Sequence, residues 1–78
     1  DELEKAINLL TEYISTHPAC SDEPYYLLGN AYRKQGNWQL ALNHYLEAIE
    51  RNPDSPATTA KKMVMDILEF YNKDMYNQ

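Results

Sequence analysis

The 78-residue chain is predicted to be all-α, an α-solenoid of about four helices in antiparallel pairs. Three observations carry that prediction: apolar residues recur three and four apart, the sequence matches itself at a shift of thirty-five residues, and turn and capping residues separate the periodic segments. The shift lays Leu3 on Trp38, Ala6 on Ala41, Ile7 on Leu42, Leu10 on Tyr45, Glu12 on Glu47, Ile14 on Ile49 and Pro18 on Pro53. It also carries Tyr25, Leu28, Gly29 and Tyr32 onto Ala60, Met63, Val64 and Ile67, in weakened form.

The first helix is expected over residues 2–16, on the stripe Leu3, Ala6, Ile7, Leu10 and Ile14. Ser21 and Asp22 ahead of Pro24 open a second helix over 22–35, since a short polar side chain can accept from a free amide and proline is tolerated in the first turn. Gly36 then supplies the left-handed residue that ends it, and Asn37 caps a third helix over 38–51, so the two form a hairpin. Leu42, Tyr45, Leu46 and Ile49 give that helix its apolar stripe, and Pro53 stops it. Ser55 before Pro56 begins a fourth, over 56–73. No linker interrupts the chain, so residues 1–78 read as a single domain.

A chain this short buries only about 60% of the surface its unfolded form exposes. A net charge of −5, with seven Lys and Arg scattered rather than striped, weighs against nucleic acid and favours cationic or neutral partners. No stretch approaches the roughly 20 apolar residues of a membrane span. Cys20 has no second cysteine to pair with, which points to a reducing, cytoplasmic setting. The opening on Asp1 rather than Met points to a piece of a slightly longer chain, with upstream residues completing the first pair.

At Tyr25, Leu28, Gly29, Tyr32, Ala41, Tyr45, Ala48 and Pro53 the segment 22–55 resembles one full tetratricopeptide repeat (TPR). Each residue type has a packing reason. Gly29 and Ala41 are small enough for the paired helices to approach closely, Tyr32 and Tyr45 fill the space beside them, and Ala48 leaves room for the next helix. Residues 2–16 resemble the second helix of a preceding, partial repeat through Ala6, Leu10 and Pro18, although Tyr13 stands where a small alanine belongs. The fourth helix has Val64 in place of the glycine and resembles the capping helix that closes such arrays. The resemblance implies a right-handed superhelix whose first helices line a concave groove, and a role as a non-catalytic module that binds a peptide segment of another protein.

The residues turned toward that groove are expected to be Glu23, Tyr26, Asn30 and Arg33 on the second helix, matched on the fourth by Thr58, Lys61, Met65 and Leu68. Asn30 stands where many family members use asparagine to hydrogen-bond a peptide backbone, donating and accepting at once. Arg33 and Lys61 are the cations placed to hold a carboxylate, but Tyr26 replaces the lysine of carboxylate-binding members. Tyr26 offers rigid contact area, or packs along a neighbouring turn. In the fourth helix Ala60, Met63, Val64, Ile67 and Tyr71 fall on the inward stripe at 100° per residue, with Met65 and Leu68 toward the groove and Phe70 toward the other edge. Met75 and Tyr76 follow. That excess of apolar side chains is the basis of an alternative reading, a structural or self-association module that forms a homodimer or ends a longer array.

Nothing converges as catalytic machinery, and no cofactor or metal is expected. His17 and Cys20 share a turn without a second ligand pair, His44 reads as a surface residue, and Asp66 and Glu69 read as a solvated face. The glycines, Gly29 and Gly36, are both accounted for structurally, so no phosphate loop exists.

Overall fold

The computed structural model describes the backbone of residues 1–76 and the side chains of residues 1–70. It contains four helices, α1 (Glu2–Thr16), α2 (Glu23–Gln35), α3 (Trp38–Arg51) and α4 (Ala57–Tyr76), and no strand among the described residues. Each helix packs chiefly on its neighbours in sequence, and α2 against α3 is the most extensive contact. The molecule measures 45 × 32 × 15 Å. The shortest dimension is that of two helix layers, given interaxial spacings of about 8–10 Å.

The helix boundaries follow local chemistry. Asp1 caps α1 by accepting from the Glu4 amide at 2.8 Å. Gly36 ends α2 at φ 81°, its amide donating to Arg33 O at 2.9 Å, and Asn37 N donates to Tyr32 O at 2.9 Å. Asn37 then caps α3 by accepting from Leu40 N at 3.3 Å. Asn52 is extended, as a residue before proline tends to be, and α3 stops at Arg51. Ser55 is fully buried and accepts from Ala57 N at 3.1 Å, which starts α4.

Three details depart from expectation. α2 starts one residue late because Asp22 makes no side-chain cap; its carboxylate instead accepts from Asn52 Nδ2 at 3.4 Å, while Ser21 Oγ accepts from Glu23 N at 3.4 Å. α4 begins one residue late, at Ala57, and runs three residues past the predicted end. His44 is half-buried rather than a surface residue: its ring stacks on Tyr32 at 5.1 Å between centroids, and its Nδ1 lies 2.8 Å from Leu40 O, 4 residues back.

Two apolar clusters hold the layers together. Ile7, Leu28 and Ala31, flanked by Leu3, Leu10, Ile14 and Tyr32, join α1 to α2. Ala41, Tyr45, Ala48, Ala57, Ala60 and Val64 join α3 to α4, with Tyr25, Tyr26, Trp38, Leu42, Ile49 and Leu68 packed around them. Burying a side chain such as Leu28 stabilises the fold by about 2 kcal/mol. The expected inward stripe of α4 is thus corrected at two positions: Met63 is 46% exposed, and Ala57, which sequence reasoning did not single out, is fully buried. Tyr71, Met75 and Tyr76 lie outside the residues whose side chains are described.

The register of α4 accounts for that correction. The connection 17–22 between α1 and α2 is one residue longer than the connection 52–56 between α3 and α4. A shift of thirty-five aligns the last residues of α1 and α3, but α4 begins 34 residues after α2. One residue is a rotation of about 100° around a helix. The positions of α4 that match Tyr25, Leu28, Gly29 and Tyr32 are therefore Thr59, Lys62, Met63 and Asp66, and all four are exposed.

Candidate functional site

The site forms where α2 crosses the one large aromatic side chain of α3 that is fully buried. Tyr45 lies so close to Gly29 that a methyl built on the glycine would overlap ring atoms Cδ1 and Cε1 and stand 3.0 Å from Cζ. Because Gly29 lets the ring lie this close to α2, the Tyr45 hydroxyl reaches Asn30 and donates to its Oδ1 at 2.5 Å. Tyr26 tilts against the same ring, with centroids 6.0 Å apart. Burial raises the Tyr45 phenol pKa above its ordinary value; the nearby Arg33 guanidinium opposes the rise and Tyr26 adds to it. Tyr26, Asn30 and Arg33 thus meet around one hydroxyl. The signature residues Leu28, Gly29, Ala41, Tyr45 and Ala48 are all buried.

The model of the tetratricopeptide repeat family matches residues 23–55, the segment that contains this crossing. Residues 23–55 thus match one tetratricopeptide repeat. It is also 58% identical to Bacteroides fragilis protein BF1650, whose solution NMR structure it matches over 99% of this chain and 87% of that one, with a TM-score of 0.76. No curated protein matches the chain. Tetratricopeptide repeats generally serve as protein–protein interaction modules and are typically non-catalytic. No described helix is long and apolar enough to cross a membrane.

Within the repeat, the predicted site residues fall into two groups. Glu23 is exposed at the start of α2, and Tyr26, Asn30 and Arg33 follow along it half-buried. The Tyr45 hydroxyl occupies Asn30 Oδ1 and so fixes the amide, whose Nδ2 is not a buried unpaired atom. Arg33 makes no ion pair among the described residues. Tyr26, tilted on Tyr45, also lines a cavity with Pro56 of the turn before α4.

Lys61 and Met65 do not join that group. Together with Thr58, Lys62, Asp66 and Glu69 they line a groove against Ile49 of α3, and Met65 and Leu68 border Leu42 in the next stretch. The physical reason is the 34-residue register: Ala60, Val64 and Ile67, not Lys61, Met65 and Leu68, match Tyr26, Asn30 and Arg33. Ala60 and Val64 are buried in the cluster with Tyr45. The mixed polar and apolar face expected on α4 is therefore replaced, at the positions matching Tyr26, Asn30 and Arg33, by the apolar residues Ala60, Val64 and Ile67.

Two features went unread in the sequence. Arg51 stacks over the Tyr25 ring at 4.5 Å, donates to its hydroxyl at 3.1 Å, and donates to Cys20 O at 2.9 Å and Pro18 O at 3.3 Å. It ties the connection after α1 to the end of α3, a link between distant segments for which no periodicity exists. The second is an open apolar cavity of about 330 Å³ lined by Leu10, Tyr13, Ser21, Glu23, Pro24 and Leu27. Its signal was the tyrosine at an alanine position: Tyr13, stacked on His17 at 4.2 Å, stands in its lining.

Proposed function

We propose that this chain binds a segment of a partner protein along α2, on the face formed by Glu23, Tyr26, Asn30 and Arg33, without catalysing a reaction. The observation that carries the reading is the hydrogen bond from the buried Tyr45 hydroxyl to Asn30. It pre-orients the amide so that Nδ2 can donate to a partner backbone carbonyl, beside an Arg33 that has no carboxylate of its own among the described residues. A partner acidic group beside Arg33 and a carbonyl over Asn30 complete the set. In this reading α1 is the second helix of a partial repeat, 22–55 is the full repeat, and α4 is the closing helix. Exposed Thr59, Lys62 and Asp66, where α2 carries its signature residues, support that last assignment.

The test is affinity capture from source-cell lysate with wild type and Arg33→Glu, both shown to be equally helical. Arg33 is the residue to change, because altering Asn30 also unties Tyr45. A protein retained by wild type and lost with the variant supports the α2 face; identical captures overturn it. Self-association through α4 is a second reading, favoured by Met63 and Met65 at 46% and 48% exposure. Sedimentation equilibrium at rising concentration decides it, since a strict monomer removes it.

A further inference from the structure

The geometry points to a two-pocket recognition site at the start of α2 that takes an apolar side chain and a basic side chain from one face of a partner segment. The first pocket is the cavity of about 330 Å³ between α1 and α2, walled by Leu10, Tyr13, Pro24 and Leu27. Tyr13 and Leu27 are 46% and 40% exposed there, an apolar surface open to solvent. The second, of about 280 Å³, is lined by Ser21, Asp22, Glu23, Tyr26, Leu27 and Pro56. Ser21, Glu23 and Leu27 belong to both, so the two are contiguous and share a wall.

The chemistry of the second pocket selects its occupant. Asp22 and Glu23 are its charged residues and both are carboxylates, Tyr26 supplies an aromatic face, and Leu27 and Pro56 supply apolar sides. A lysine or arginine matches all three features, with its alkyl stem along Leu27 and Pro56, its cationic head over Tyr26, and the carboxylates as counter-charge. An acidic side chain meets repulsion there, and the chain's net charge of −5 favours approach of a basic segment. No charged side chain other than Glu23 lines the first pocket, which suits Leu, Met or Phe. The inference rests on the reading that a partner segment binds along α2. It adds that the segment's basic residue lies at the Glu23 end, away from Arg33.

The experiment is NMR titration of the full 15N-labelled chain with short Gly/Ser peptides. Each carries one Leu and one Arg, at adjacent, alternate or helical-turn spacing and in both orders, with control sets in which Glu replaces Arg or Ala replaces Leu. The expected result is saturable shifts of the amides of residues 21–27 and of Leu10 and Tyr13 with at least one Leu/Arg peptide. Affinity should be about tenfold weaker for its Glu and Ala controls, and should fall with added salt. Glu23→Gln and the exposed-site change Leu27→Ser should each weaken binding severalfold, with spectra showing the fold retained. Shifts no larger than with the Glu controls, or binding indifferent to Glu23→Gln, overturn the proposal. A partner captured through Arg33 while every Leu/Arg peptide fails would sink this proposal alone, and peptide binding with an empty capture would sink only the broader α2 reading.

Discussion

Replacing Gly29 by alanine ought to stabilise an ordinary helix position, because alanine is favoured over glycine by about 1 kcal/mol. Here the opposite is expected. The added methyl would overlap the Tyr45 ring, which is fully buried and cannot swing away without leaving Asn30. Overpacking of a well-filled core costs about 1–3 kcal/mol, and a displaced Tyr45–Asn30 hydrogen bond adds about 1 kcal/mol. After the helix-propensity gain, the net destabilisation comes to about 1–3 kcal/mol. The assay is urea unfolding followed by far-ultraviolet circular dichroism, where such a loss moves the midpoint by roughly 1 M or more. The same substitution in a Tyr45→Leu background, where the ring is gone, should be neutral or stabilising. A Gly29→Ala variant at least as stable as wild type, or an equal penalty in both backgrounds, would refute the claim that ring and glycine are fitted to each other.

Alkaline titration should destabilise the protein in a way that depends on Tyr45. Its folded pKa is raised, so the contribution is fully present below the ordinary tyrosine pKa of about 10 and is lost as pH rises through the folded value. Tyr45→Phe should lose about 1 kcal/mol at neutral pH, from the missing bond to Asn30, and should flatten that alkaline loss; an unchanged alkaline profile counts against the assignment. Arg51→Ala should cost about 1 kcal/mol, discounted for partial exposure, and speed amide exchange at Cys20 and its neighbours. Unaltered exchange there would show that Arg51 does not hold the connection.

The architecture was legible because local and tertiary signals agree at the same residues. Gly36, Asn37, Pro53 and Ser55 each punctuate the chain by a rule that needs only their own chemistry, and each acts as its type predicts. The apolar stripe of α1 likewise finds α2 through Ile7, Leu10 and Ile14. The candidate site was legible only on α2, where Tyr26, Asn30 and Arg33 share a face with no reference to another helix. Its extension onto α4 depended on the relative phase of two helices. That phase is set by the length of two connections, and a difference of one residue replaced Lys61 and Met65 by Ala60 and Val64. The tie from Tyr45 to Asn30 was also hidden, because it requires knowing that the ring lies against Gly29 with its hydroxyl within reach of Asn30. The hold of Arg51 on Cys20 joins residues 31 apart and leaves no repeating trace in the sequence.

In the proposed reading, the bond between Asn30 and the Tyr45 hydroxyl also means that grip and integrity share a residue. A library randomised at position 30 would rank its members by how well they keep α2 seated on α3 as much as by how well they hold a ligand, so any optimum selected there is a compromise between the two. Loosening that constraint would start with Tyr45→Phe, which frees position 30 to vary for recognition alone and charges the core a fixed, measurable amount for the freedom.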